Sequence, residues 1–299
     1  MKNRLAWLLV VTVLFWSCIS AEKKASDEYA YFLPGRVQGI LDNIAIDEAS
    51  GLVASRVNAG MLWTHNDSGD KARLFLIDTL GRHQATLKLK GILNRDWEDI
   101  AAGPGPDSTK TYLYIGEIGD NDAQYKYKII YRIEEPLVKK EEMSISSIDS
   151  IRFTLPDGSR DAEALMIDPL SRDLYIFSKR ENAINLYRLP YPQSVSEMTE
   201  AELVIDGLPF TLVVAADWSA DGREILIKTY KKVFYWQRKP GEPVAESLRR
   251  TPAELPYREE PQGESIAFDG NGNGYFTVSE KFRKQSPELI YYPRATAKP

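Results

Sequence analysis

Apolar and polar positions alternate in short bursts along this chain. Segments such as "RLFLIDT", "YLYIGEI" and "DLYIFS" carry the period-two pattern of a half-buried strand. The bursts are separated by "DTLG", "GPGPDS", "DPLSRD", "ADG" and "DGNGNG", all rich in residues that favour tight turns. No stretch sustains helical spacing. The nearest approach is "VSEMTEAELV", which has room for one or two helical turns.

The bursts repeat in an order. "EASGLVAS", "DWEDIAAG", "DAEALMID" and "GESIAFDG" each join an acidic or small residue to a short apolar strand, and "VAADWSADG" fits more loosely. Aromatic-rich second strands follow, as in "MLWTHNDSGD" and "GYFTVSEKF", and then third strands such as "KIIYRIEEP" and "ELIYYP". "HQATLKLKG", "SIRFTLP", "AELVIDGLP" and, more weakly, "TPAELPY" supply a fourth strand to the first four units. A repeated four-stranded antiparallel unit is the blade of a β-propeller. The fifth unit ends after its third strand, and "FLPGRVQGIL" precedes the first unit without a partner. Pairing these two ends would close the ring and remove its free sheet edges. The expected fold is therefore all-β: a single five-bladed β-propeller domain over residues 30–299, closed by its N- and C-terminal strands. Six blades become the alternative if "EEPLVKKEEMSISSIDS" hides strands. A β-sandwich is the competing arrangement, disfavoured by the shared acidic starts.

Composition agrees with a turn-rich β protein: of 299 residues, 16 are Tyr and 11% are aromatic. The net charge of -5, without a long basic run, argues against nucleic acid as a partner. The first residues have a separate logic. "MKNR" is a short positive segment, "LAWLLVVTVLFW" is apolar, and "SCIS" follows with Cys18, the sole cysteine. This resembles a bacterial lipoprotein signal over residues 1–17, with Cys18 lipidated and residues 18–29 as a tether. "FWSC" departs from the usual pattern because Phe15 and Trp16 are bulky, and an ordinary secretory peptide is the alternative. The expected location is extracytoplasmic, in the bacterial cell envelope, anchored to the lipid bilayer through Cys18. With Cys18 lipidated, the folded part can form no disulfide.

The candidate chemistry lies at the starts of the first strands, which line the channel of a propeller. Alignment on the downstream turns at Asp168, Asp221 and Asp269 places Ser50, Glu98, Glu163, Ala216 and Glu264 in one ring. Carboxylates gathered on an axis repel strongly. They can share protons, pair with Lys179, Arg180 or Lys228, cap backbone N–H groups, or hold a cation. An all-oxygen donor set of Ser50, Glu98, Glu163 and Glu264 suits Ca²⁺, and the absence of thiol and imidazole disfavours Zn²⁺ and copper. The second-strand ends add a polar column of ligand-binding candidates: Asn66, Asp67, Asp70, Glu117, Asp120, Asn121, Lys179, Arg180, Tyr230 and Glu280. Gly69 and Gly119 are expected at turns with positive φ. His65 and Asp67 are candidate general bases. There is no G-x-S-x-G, H-E-x-x-H or phosphate-cradling loop.

Together "HNDSGD", "DWEDIA", "LYIGEIGDN", "RIEEP", "DAEAL", "SADGREILIKTY" and "GESIAF" resemble an uncharacterised family of bacterial secreted β-propeller proteins, over roughly Glu48 to Glu280. More distantly, the ring is similar in layout to calcium-dependent propellers of the phosphotriesterase and lactonase group and to calcium-activated nucleotidases. That resemblance implies Ca²⁺ near Glu98, Glu163 and Glu264. Two functions follow as expectations: a module binding a small molecule, glycan or envelope protein, or a Ca²⁺-dependent hydrolase of phosphoester, lactone or related esters. The anchor is directly testable. The full chain should partition into a detergent phase and Cys18→Ser should move it to the aqueous phase; equal partitioning of both would remove the lipid.

Overall fold

The computed structural model describes residues 31–283 and 285–295. The proposed signal, the tether and Cys18 lie outside the described residues.

Strand β1 (Arg36–Ile40) comes first among the described residues. Blade one follows as β2 (Ala49–Ala54), β3 (Met61–Asn66), β4 (Arg73–Asp78) and β5 (His83–Leu89). Blade two is β6 (Trp97–Pro104), β7 (Thr111–Glu117) and β8 (Lys128–Glu134), then, after the excursion β9 (Glu142–Ile145), β10 (Asp149–Thr154). Blade three is β11 (Ala162–Ile167), β12 (Leu174–Ser178) and β13 (Ile184–Leu189), then, after β14 (Thr199–Glu200), β15 (Glu202–Leu208). Blade four is β16 (Val213–Trp218), β17 (Glu224–Thr229) and β18 (Val233–Gln237), a short helix α1 (Val244–Arg249), and β19 (Ala253–Leu255). Blade five is β20 (Ser265–Phe268), β21 (Gly274–Val278), β22 (Glu288–Pro293) and, outermost, β1.

The protein is thus a five-bladed β-propeller, and the ring closes as the sequence predicts. Arg36 pairs with Tyr291 and Ile40 with Glu288, antiparallel. A bulge between Val37 and Gly39 turns β1 past the loop at Leu80. Gly39 is required there, because a Cβ would run into the Leu80 backbone carbonyl.

The insert in blade two makes no sixth blade. It returns to blade one, where β9 adds in parallel to β5. "VSEMTEAELV" is not helical either: β14 adds in parallel to β10 of the preceding blade. Both segments cover what would otherwise be exposed outer edges. The helix lies instead in "VAESLR", which buries Val244 and Leu248 against blades three and four.

Five apolar layers fill the spaces between blades. Trp63 and Trp97 meet between blades one and two, and Trp218 and Trp236 between three and four. Phe32, Tyr235, Tyr275 and Tyr292 fill the space between four and five. Tyr275 and Tyr292 stack with centroids 4.5 Å apart and rings nearly parallel.

Each innermost strand has a neighbour on one side only, so its other edge faces the channel. Side chains from neighbouring blades satisfy those edges. Ser265 Oγ donates to Ser50 O at 2.6 Å, and Ser50 Oγ donates to Glu98 O at 2.7 Å. Asp99 accepts from Leu165 N at 3.0 Å, from Ala216 N at 3.3 Å and from Ile100 N at 2.8 Å. Asp217 accepts from Phe268 N at 2.7 Å and from Trp218 N at 2.8 Å. The circuit joins blades five to one, one to two, two to both three and four, and four to five. Strict alternation aims Asp99 away from the axis. It reaches the channel instead because β6 is bulged between Trp97 and Asp99, and a bulge re-aims the side chains that follow it.

Removing a buried acceptor leaves its donors unsatisfied, at about 1–3 kcal/mol for each group. Asp99→Ala should therefore lower the unfolding free energy by about 3 kcal/mol or more in urea titrations, and Ser50→Ala by about 1 kcal/mol. Equal losses for the two variants would contradict the circuit.

Candidate metal centre

The channel mouth at the first-strand starts collects the acids. Because the strands are antiparallel, the second-strand ends share this mouth: Ala49 pairs with Asn66, Trp97 with Glu117, Ala162 with Ser178 and Val213 with Thr229. In blades one to four the inner strand is bulged at Ser50, Glu98, Glu163 and Val214, and Glu264 directly precedes β20. These five residues are the true ring. Ala216 lies two residues beyond the blade-four position. The turn equivalent to those at Asp168 and Asp269 begins at Ser219, not at Asp221: Ser219 N bonds to Glu224 O just as Asp269 N bonds to Gly274 O.

Three carboxylate triads form at this mouth, each with one oxygen per residue within 4.8 Å of the others: Asp67, Asp96 and Glu98; Asp67, Glu264 and Glu280; and Glu98, Asp161 and Glu163. Asp67 and Glu98 each belong to two. Asp96 and Asp161 were not expected as members. Both stand two residues before a ring glutamate, in "DWE" and "DAE", so the repeated D-x-E spacing was the signal for them.

The triads differ in what already compensates them. Glu163 is in contact with the Lys179 ammonium, and Asp161 accepts from Asp120 N at 2.9 Å and from Arg180 Nε at 2.6 Å. Glu264 accepts from the Tyr230 hydroxyl, which in turn lies 3.0 Å from Lys179 Nζ, and Glu280 accepts from Gln262 at 2.9 Å. The triad of Asp67, Asp96 and Glu98 has no ammonium or guanidinium bonded to it among the described residues. Glu98 is only 4% exposed, yet its carboxylate accepts no hydrogen bond from a described residue. Gly119 makes room for it: any side chain there would run into Glu98 and Asp96. Close approach is thus the reason for this glycine, whereas Gly69 has the expected positive φ, at 86°.

Burial and mutual repulsion set the protonation. Glu98 is raised well above the usual carboxylate range by burial, then by Glu163, Asp67 and Asp96. Burial lifts Asp67 to about 6. Burial, then Glu264, lifts Glu280 to about 8. Burial alone would lower the Lys179 ammonium, but Glu163 holds it above its ordinary value, so the ammonium stays charged. A carboxylate set that resists ionisation and has no described cation bonded to it suits a hard cation with oxygen ligands. Asp67, Asp96 and Glu98 would hold it.

The other expected site residues divide. Lys179, Tyr230 and Glu280 join the mouth. Ser50 joins the interblade circuit rather than a triad. Asn66 spans Ala45 O at 2.7 Å and Asp70 at 3.0 Å, and Asp70 also pairs with Arg73 at 2.8 Å, so these two hold the loop. Glu117 accepts from Tyr131 at 3.3 Å, and Asp120 pairs with buried Lys128 at 3.1 Å. Arg180 is held by Asp161, and Asn121 is exposed. His65 is not in an open loop. It is fully buried, edge-on to Trp97, with Nδ1 2.9 Å from Asn66 O, and burial lowers it to about 4.

No protein-family model matches the chain, and no curated protein matches it. The assignment therefore rests on the fold and on this geometry.

The raised carboxyls keep protons that the unfolded chain has already lost, so stability should fall as pH rises from the ordinary carboxylate range towards 8. His65 acts oppositely, favouring the fold as pH rises from about 4 to 6.5, and is spent above that. Without divalent cations, the melting temperature should drop between pH 6.5 and 8. The drop should shrink in Glu98→Gln and Glu280→Gln. A flat or rising melting temperature would contradict the charge assignment.

Proposed function

We propose that this protein is a lipid-anchored, extracytoplasmic binding module that holds a hard divalent cation, with Ca²⁺ as the best match to an all-carboxylate set, and displays it to a ligand at the channel mouth. The observation that carries this reading is Glu98: nine-tenths buried, unbonded, and facing Asp67 and Asp96. A buried carboxylate in that state is costly unless it is neutralised.

A groove of about 480 Å³ runs along blade five, with Glu280, Arg258, Phe282 and Ile40 in its lining. Glu280 ties it to the mouth through its triad with Asp67 and Glu264, and a small molecule, glycan segment or partner loop could lie there. The placement of His65 favours binding over hydrolysis. The chain has only two histidines; this one is sealed between blades one and two, and His83 begins β5, the fourth strand of blade one, away from the mouth. Asp67 would be the base in a hydrolytic version, but here it is a ligand candidate.

Native mass spectrometry of the purified chain should show bound Ca²⁺. A ligand at 100-fold excess over its dissociation constant stabilises by about 2.7 kcal/mol. EDTA should therefore lower the melting temperature by several degrees, and Glu98→Gln should abolish that response. A chain that carries no metal and melts identically with and without EDTA would overturn the reading.

A further inference from the structure

Two triads at the mouth have the same donor chemistry and share Glu98, but only one of them has a cation of the chain's own in contact. We infer that Lys179 is a built-in counter-ion that occupies the third triad, and so confines the bound divalent cation to the side of Asp67 and Asp96. This rests on the cation reading above and adds to it the residue that sets where, and how many, ions are held.

The geometry is specific. Lys179 follows the last residue of β12, and its backbone N–H bonds to Asp161 O at 3.1 Å. The ammonium is thereby folded back over its own blade's inner strand, against Glu163. It is 6% exposed, and its remaining contacts are the Tyr230 hydroxyl at 3.0 Å and the Tyr230 ring face at 5.2 Å. The Tyr230 hydroxyl is donated onward to Glu264. The ammonium is thus held from several directions, as a ligand would be. Arg180, the next residue, neutralises Asp161 from the outside. A divalent cation entering between Glu98, Asp161 and Glu163 would have to displace Lys179 or stand beside it, and like charges at that range in a buried site repel strongly. The Asp67 side has no such occupant. One lysine therefore distinguishes the two triads that share Glu98: the one with Asp161 and Glu163 is filled from within the chain, and the one with Asp67 and Asp96 is left to a metal.

Lys179→Met keeps the aliphatic stem and removes the charge. Calcium titrated calorimetrically into this variant should bind with one more ion per chain than in the wild type. Lys179→Arg, which keeps the charge, should match the wild type. If Lys179→Met binds no additional Ca²⁺ while the wild type binds it, the inference fails and the cation reading stands. If neither binds Ca²⁺, the cation reading itself fails. A second measurement needs no variant: the Lys179 Nζ resonance of the ¹⁵N-lysine-labelled wild type should remain that of a held ammonium at Ca²⁺ saturation. Its release into solvent exchange on adding Ca²⁺ would show that the metal takes the lysine's place, and would overturn the inference.

Discussion

Every blade of a propeller turns one unpaired strand edge towards a common axis, and those backbone groups have no sheet to complete. In this protein the requirement is met by four side chains, Ser50, Asp99, Asp217 and Ser265, each reaching from one blade to the backbone of another. The apolar layers between blades hold the ring together by area. The circuit fixes how the five inner strands stand relative to one another. That in turn fixes the positions of Glu98, Glu163 and Glu264, which sit at the same bulge or strand start in their blades. The site inherits its geometry from the solution to a backbone problem.

Charge is distributed around the mouth with a visible asymmetry. Towards blade three the acids meet Lys179 and Arg180, and further out Lys128 answers Asp120. Towards blades five and one, Glu264, Glu280 and Asp67 meet a hydroxyl, an amide and a backbone N–H. Neutral donors orient a carboxyl without supplying a positive charge, so burial and mutual repulsion there are answered by proton uptake instead.

Much of the fold was legible because strand alternation, turn residues and a repeated order all pointed to the same blade, and because the last unit lacked the strand that the N-terminal segment supplied. The excursions β9 and β14 were not legible: short polar strands pairing in parallel with a neighbouring blade leave no periodic trace. At the site, Glu98, Glu163 and Glu264 could be read from the repeat. Asp99 could not, since period-two reasoning fails one residue past a bulge. The blade-four position is Val214 rather than Ala216, because Asp221 imitates the turn aspartates while Ser219 does their work. His65 has the polar neighbours of a loop residue, yet the chain turns outward only after Asn66, leaving the imidazole beneath Gly51.

The pairing of β1 with β22 also orders events in time. β1 is made before the strands of blades one to four, and its partner after them. Contacts so distant in sequence form slowly, after nearer ones have accumulated. Until they form, blade five is a three-stranded sheet with a bare outer edge, and the Tyr275–Tyr292 stack lacks Phe32 alongside it. A chain of this design cannot lock while its blades are still being made. It becomes a ring only when β22 has reached β1.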